Sequence, residues 1–591
     1  MKNILALLSN QKIQALVFLV IILAFYGNTL SNGFVHDDAW QIADNKNIQK
    51  LENLPKVFTS CLHEDLLAGG CKKMGFYYRP TQYLSYFLTY QVSSQPWFFH
   101  LVNLVYALIA SLLVLRFFKI FLQGKHLPFV ATLLFITHPI NSEPINWLSC
   151  VVELTLAGFM MATYLLYIKF SESKKMILLV LSAFTFLGGL FSKETAALAI
   201  LIVPIYEFLF KGFRGDRSTV KRCLLVFALY VTAGVIYVLS RAAVLGRVVY
   251  EYEGYYKMDA WSQALNALVL YPKYLFKLIY PLPLNLQERV VLATGDDWRV
   301  TVAFLLVMLN FFIVFIFFKK GWKVMLLATS LIVLSILTPL IFINKIGQWL
   351  IGERYLFMSS IGMALLVGEI IRRLILRYKD KAFRNILLVL FAVYLVFSWF
   401  IIFQRNKDWK DNTASYIGIL KADPGNAEAH YQLGNIYAKQ NQLDLAAEQF
   451  QQASKLDPRF AATLVNKFTS AQGLSFLYPV GWIVNEEKSI HIQDEKGEFK
   501  IEVGLDALSL GQSTDRYLAK QEKVHGALIN QGAALIPNMD QAFVKIFKDE
   551  RSTKMQFFLF KGDKVIKILV DPMDSPLMKQ FDAIVSSLKF S

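Results

Sequence analysis

Charge is what this chain has least of. Only 18% of its 591 residues are Asp, Glu, Lys or Arg, where ordinary soluble chains carry about 25%. Cysteine is scarce too. The four present, Cys61, Cys71, Cys150 and Cys223, show no metal-ligand spacing, which excludes a cysteine-held metal centre. No small-residue cleavage site follows the first apolar run, so residues 13–30 read as a first membrane helix rather than a removable signal. The C-terminal part lacks a basic face interleaved with aromatics. The net charge of +17 therefore does not point to nucleic acid. Its Lys and Arg stand in short clusters between apolar runs, as membrane orientation requires.

What is present is apolar: 55% hydrophobic residues and 14% aromatic. Up to about residue 403 the chain is a series of runs, several long enough to cross a hydrocarbon core of roughly 30 Å. Eleven spans are expected, near 13–30, 98–118, 127–140, 149–168, 176–191, 195–210, 223–241, 299–318, 324–343, 355–371 and 385–403. Beyond them the composition is that of soluble protein. The expected divisions are a membrane domain over 1–403, a helical segment over 404–465 and an α+β domain over 466–591.

The connections alternate in character. One set is basic: Lys2 and Lys12, Arg116 to Lys125, Lys169 to Lys175, Lys211 to Arg222, Lys319 to Lys323 and Arg372 to Arg384. The positive-inside rule puts these, and the N-terminus, in the cytoplasm. The segment Trp261–Pro283, with two lysines and three prolines, reads as an interfacial or re-entrant helix on the outer side. An odd number of crossings then leaves the C-terminal part on the non-cytoplasmic side, periplasmic or extracellular. Cys61 and Cys71 share the first outer loop, where that compartment favours a disulfide over two free thiols.

The other connections carry the polar residues that stand out at membrane depth, where charge is expensive and therefore suspect. The first outer loop opens Gly33-Phe34-Val35-His36-Asp37-Asp38 and continues to Tyr77-Tyr78-Arg79-Pro80. His100-Leu101-Val102-Asn103 begins the second span. His138-Pro139 leads to Glu143 and Trp147, Lys193-Glu194 sits between two runs, and Glu353-Arg354-Tyr355-Leu356 precedes the tenth. Asp37 and Asp38 suit proton abstraction or a divalent cation; as an isolated pair they would be a helix cap. Lys193 and Arg354 suit a phosphate, or a snorkelling or ion-pairing role. Together they read as a site for an anionic substrate.

In their order these strings resemble the GT-C superfamily of polytopic glycosyltransferases, and within it the TMTC O-mannosyltransferases and their bacterial relatives. The resemblance covers most of residues 13–403. It implies a sugar donor attached to a polyprenyl phosphate, a protein or glycan acceptor, and a bacterial inner-membrane location. Asp38 or Asp37 would be the acidic residue of the first loop that acts as catalytic base or metal-binding group, and Glu143 a second acidic group in the pocket. Lys193 and Arg354, with Arg79, would contact the donor phosphate; His100, His138 and Glu194 would line the same pocket. The resemblance leaves a divalent cation, magnesium or manganese, open, with Asp37 or Asp38 as its ligand.

Residues 427–458 fit one tetratricopeptide repeat, with Leu433, Gly434, Tyr437, Ala446, Phe450, Ala453 and Pro458 on the pattern. A lone repeat cannot bury its own face and must lean on a neighbour. It reads either as a spacer or as a surface for a protein partner. Period-two strands are expected near 488–493, 498–506, 541–548, 554–561 and 564–571, and helices over 513–530 and 575–588. The opening Tyr478-Pro479-Val480-Gly481-Trp482 is similar to PsbP-like domains. Rival readings of the whole are an oligosaccharide ligase, a non-enzymatic envelope scaffold and a transporter.

Overall fold

A computed structural model describes residues 10–590 except 63, 65–69, 75–76, 213–216, 248–255, 346–348, 441, 461–463, 471–473, 480–481, 487–488, 495–498, 508–513, 520–526, 534–539, 549–552, 562–563, 572, 574–583 and 586–588. The chain divides into two compact units, Met1–Gly418 and Ile419–Ser591.

The first unit is helical. Its longer helices are α1 (Gln11–Tyr26), α2 (Pro80–Val92), α3 (Pro96–Phe121), α4 (Leu127–Ile136), α5 (Val151–Ser173) and α6 (Met176–Ser192), followed by α7 (Arg217–Leu245), α8 (Ala260–Ile279), α9 (Trp298–Lys319), α10 (Lys323–Ile341), α11 (Phe357–Arg377) and α12 (Lys381–Arg405). Local chemistry starts them. Asn10, Asp259, Asp297 and Asp380 cap α1, α8, α9 and α12 by accepting from backbone N–H groups, and Pro80, Pro96 and Pro128 open α2, α3 and α4. Among the described residues, seven helices are long and apolar enough to cross a membrane: Gln11–Ser31, Pro96–Phe121, Leu148–Ser173, Val220–Leu245, Trp298–Lys319, Lys323–Ile341 and Lys381–Trp409. Leu127–Ile136 and Met176–Ser192 are shorter apolar helices. The protein is therefore a multi-pass helical membrane protein with an α-helical repeat and a sheet domain behind it.

Two of the expected spans take other forms. Residues 195–210 break into Ala196–Ala199, Ile202–Tyr206 and a π turn at Glu207–Lys211, around Pro204, which has no N–H for the helix ladder. α11 spans the tenth run, but its C-terminal half carries Glu369 paired with Arg372 and Arg373. α8 covers most of Trp261–Pro283. It buries Leu265, Leu270, Tyr274 and Leu278 and exposes Trp261, Phe276 and Ile279, so it is amphipathic rather than apolar all round.

Because successive long helices run up and down, their ends segregate. α3, α5 and α11 begin beside Trp97, Glu153 and Arg354 and end at Lys119, Lys174 and Arg377, whereas α6, α7 and α12 end at Lys193, Arg241 and Arg405. α5 is nearly all buried and forms the centre of the bundle.

The second unit is a helix pair and two sheets. α13 (Ala427–Lys439), capped by Asn426, packs on α14 (Leu443–Leu456). Gly434 permits the approach: a Cβ there would lie 2.7 Å from the Phe450 ring. A seven-stranded antiparallel sheet has the order β3 (Ile483–Glu486), β4 (Ile490–Gln493), β5 (Lys500–Ala507), β9 (Lys564–Asp571), β8 (Thr553–Lys561), β7 (Gln541–Lys548), β6 (Ala527–Ala533). β1 (Leu464–Thr469), β2 (Leu474–Pro479) and β10 (Lys589–Phe590) form a second sheet. Leu443, Ala446 and Phe450 share one core with Phe476, Ile490, Ile501 and Ile568. The lone repeat thus leans on the sheet that follows it. Among the described residues of 513–530 the structure gives a helix at Thr514–Ala519, and 527–530 belong to β6. β6 pairs antiparallel with the next strand, β7, with a register shift between Leu528 and Asn530, and that pairing overrides the local helical pattern. The helix expected over 575–588 lies almost wholly outside the described residues.

Candidate functional site

The connections singled out in the sequence meet at one end of the first unit. The acidic loop is the decisive piece. His36 has φ +49°, a left-handed turn that sends the two aspartates in different directions. Asp38 turns into the protein and is fully buried. Its Oδ1 accepts from the Ser149 N–H at 2.8 Å and the Ser149 hydroxyl at 2.6 Å, and its Oδ2 from the Val35 N–H at 3.2 Å. Burial pushes its pKa up to about 7, against the pull of those hydrogen bonds. Asp37 is half-buried. Burial raises its pKa, while the nearby Arg354 guanidinium and a hydrogen bond from the Trp40 indole hold it down. Asp38 is thus a clasp between the loop and the start of α5, and Asp37 is the carboxylate that faces other charges.

Those charges come from five connections. Arg354 donates through Nη1 to Glu143 Oε1 at 2.6 Å and through its backbone N–H to Glu143 Oε2 at 3.2 Å. Glu143 is fully buried, so both of its oxygens are held by one arginine. The Arg354 guanidinium also lies 4.8 Å from the Tyr355 ring and 5.4 Å from Trp147. Lys193 reaches the Tyr355 ring at 5.0 Å and forms a buried ion pair with Glu153. Tyr355 is therefore the surface on which both cations converge. Beside them Glu194 takes Arg79 on Oε2 at 3.2 Å and Arg241 on Oε1 at 3.1 Å. Burial alone would raise the Glu194 pKa, but the two guanidiniums outweigh it and lower it. Arg79 stacks 4.2 Å from the Tyr77 ring, and Tyr77 lies in the field of Arg79, Tyr355, Glu194 and Asp37. One electrostatic neighbourhood contains Asp37, Arg79, Lys193, Glu194, Arg241, Arg354 and two tyrosines.

The histidines do something else. His138 Nδ1 accepts from the Ile140 N–H at 3.2 Å and caps the turn at Pro139–Asn141. Burial lowers its pKa to about 4 and keeps it neutral. His100 is buried in α3. Four participants were not singled out from the sequence: Ser149, Glu153, Arg241 and Arg405. Arg241 and Arg405 each stand near the end of a long apolar run, and an isolated arginine there is the signal that would have found them. Arg405 approaches Glu353 at 3.8 Å and Asp408 at 3.1 Å.

Beneath this cluster lies an apolar cavity of about 620 Å³ between α8, α9 and α10, lined among others by Tyr271, Asn310, Phe311, Thr329 and Leu334. Leu334 also lines the pocket that contains Lys193, Glu153 and Tyr355. The charged cluster and the apolar cavity therefore share a wall at Leu334. Cys61 and Cys71 are joined by a disulfide in the loop below Tyr78. Among the described residues no three His, Cys, Asp or Glu side chains approach closely enough to hold a metal ion. Both Asp38 oxygens already accept hydrogen bonds, from Ser149 and Val35. The arrangement offers one available carboxylate, several cations and a hydrophobic channel: the parts needed to deprotonate a hydroxyl and receive an anionic leaving group that carries an apolar tail.

Comparison with known proteins agrees in kind. The chain is 24% identical over 456 residues to a "Protein O-mannosyl-transferase F38B6.6" of Caenorhabditis elegans, covering 74% of this chain and 61% of that protein. It is 22% identical over 490 residues to human "Protein O-mannosyl-transferase TMTC3", covering 76% of this chain and 52% of that one. Its relatives are the TMTC proteins. Mouse TMTC2 is 30% identical over a shorter stretch of 154 residues, 26% of this chain and 18% of that one. The chain thus spans at most about three-fifths of the length of these relatives. The Tetratricopeptide repeat family matches residues 427–460, which are α13, α14 and the turn after them. The solution structure of cyanobacterial PsbP (CyanoP) from Synechocystis sp. PCC 6803 aligns with 22% of this chain and 94% of its own, at 19% identity and a TM-score of 0.18.

Proposed function

We propose that the protein is a membrane glycosyltransferase that moves a sugar from a polyprenyl-phosphate donor to an acceptor hydroxyl on the non-cytoplasmic side, with O-mannosylation of an exported protein as the reaction. The observation that carries this reading is the division of labour in the acidic loop. Asp38 is walled in by Ser149 and Val35, and Asp37 stands beside Arg354. Asp37 takes the proton of the acceptor hydroxyl as its oxygen attacks the anomeric carbon. The bond from that carbon to the phosphate oxygen breaks, and the electron pair leaves with the lipid phosphate. Arg354, Lys193 and Arg79 stabilise the charge that develops there. Attack from the face opposite the phosphate inverts the anomeric centre. The prenyl chain occupies the apolar cavity, whose wall at Leu334 adjoins the Lys193 pocket. The names of the relatives support mannose and a protein acceptor. The helix pair α13–α14 supplies a surface for that acceptor.

The test uses membranes containing the full chain, a radiolabelled polyprenyl-phosphate mannose and exported-protein acceptors. Asp37→Asn is expected to lower transfer by at least about a hundred-fold, the usual scale for a general base. Equal transfer by wild type and Asp37→Asn would sink the assignment.

A further inference from the structure

Besides bonds to its own sequence neighbours, the acidic loop has four to a distant segment. The Asn32 side-chain amide donates to the Asn406 carbonyl at 3.0 Å, and the Gly33 N–H to the Lys410 carbonyl at 2.8 Å. The His36 N–H donates to Asn412 Oδ1 at 2.7 Å, and His36 Nε2 meets the Ser415 hydroxyl at 2.7 Å. Every partner lies in residues 406–415, where the chain leaves the last long helix. Gly33 matters for the approach, since a Cβ would stand 3.3 Å from the Lys410 carbonyl oxygen. The His36 ring is enclosed by Trp147 at 6.0 Å, Trp409 at 6.5 Å and Tyr416 at 5.1 Å, all edge-on. Trp409 stacks on Trp147 at 5.8 Å, and Trp147 carries Arg354.

A left-handed backbone at a residue with a Cβ costs on the order of 1–2 kcal/mol. It persists where the surroundings over-determine it. Here two hydrogen bonds and three aromatic rings do so at the residue immediately before Asp37, with two further bonds on Asn32 and Gly33. Burial lowers the His36 pKa to about 4, so the ring acts as a neutral strut rather than as a charge.

Resting on the glycosyltransfer reading, we propose that His36 is a positioning residue for Asp37, held by Asn412 and Ser415 of the segment that leaves the last membrane helix. Residues 406–416 are then part of the site and not merely its exit. The contact between His36 and Ser415 fixes the turn. The turn aims Asp37 toward Arg354 while Asp38 is clasped by Ser149.

The experiment is a double-substitution cycle in the full-length protein, with His36→Asn and Ser415→Ala measured for kcat and for donor KM. Asn tolerates the left-handed backbone and removes the ring. Each single variant is expected to lower kcat about ten-fold, the scale of a misplaced reacting group, with donor KM unchanged. The double variant should lose no more than either single one, because the two act through one contact. Asn412→Asp keeps an acceptor for the His36 N–H and should retain activity, whereas Asn412→Ala should not. Additive losses in the cycle, wild-type kcat in Ser415→Ala, or a matching rise in donor KM would overturn the proposal. A second readout needs no transfer. In Asp37→Cys, the alkylation rate of residue 37 by a charged reagent, followed by mass spectrometry, should change several-fold when Ser415→Ala is added. An unchanged rate overturns positioning. Absence of transfer in wild type with a changed rate overturns only the glycosyltransferase reading.

Discussion

The two units of this chain treat charge in opposite ways. In Met1–Gly418 the carboxylates of Glu143 and Glu353 are wholly buried, each within reach of an arginine. In Ile419–Ser591 the pairs Lys561–Asp540 and Lys567–Asp506 keep a quarter to more than half of each side chain exposed. Exposed pairs contribute little to stability, and buried ones recover their desolvation cost only through good geometry. Glu143 and Glu353 of the first unit are therefore held by specific buried partners, whereas these two pairs of the second are ordinary surface.

That contrast can be broken most severely at Glu143. Glu143→Gln leaves the Arg354 guanidinium enclosed without its counter-ion, and a loss of about 3–5 kcal/mol is expected, read by unfolding in detergent. Removing both charges in Glu143→Gln with Arg354→Gln should recover part of it. A single variant as stable as wild type would show that the pair is solvated. A pH series sharpens the same point at Asp38. Its pKa rises from 3.8 in the unfolded chain to about 7 in the folded one. The folded state therefore binds the proton more tightly. The stabilisation is fully present below 3.8 and is lost as pH climbs through about 7. Melting temperatures of wild type should carry this downward slope, and Asp38→Asn should lack it.

In the second unit the strongest effect expected is steric. Gly434→Ala places a Cβ 2.7 Å from the Phe450 ring. Overpacking of this kind costs about 1–3 kcal/mol, against about 1 kcal/mol gained in helix propensity. Phe450→Leu in the same chain should relieve it, read by thermal unfolding. Smallest of all, Lys567→Ala should shift stability by less than about 1 kcal/mol, and less still in high salt. A large effect there would erase the distinction between the units.

Much of the site was legible because its residues sit in short strings between apolar runs. Asp37, Arg79, Glu143, Lys193, Glu194 and Arg354 do come together. What could not be read was which atom faces which. Asp37 and Asp38 are adjacent and chemically identical; only the backbone angle at His36 separates them. His138 looked like a site residue, but its ring caps the next turn, a local role that a lone histidine string does not announce. Glu153 and Arg241 were hidden inside spans, since each finds its partner in the turn that follows α6, at Lys193 and Glu194. In the fold, the apolar runs gave the long helices, while Pro204 divided one run and the pairing of β6 with β7 claimed residues that are locally helical in pattern.

The brace on the acidic loop has a consequence for biosynthesis. Asn32 and His36 are translated 374 to 379 positions before their partners Asn406, Asn412 and Ser415. The ribosome must deliver nearly the whole membrane unit before Asp37 acquires its final orientation. A nascent chain halted before residues 406–415 would lack the partners that brace its acidic loop.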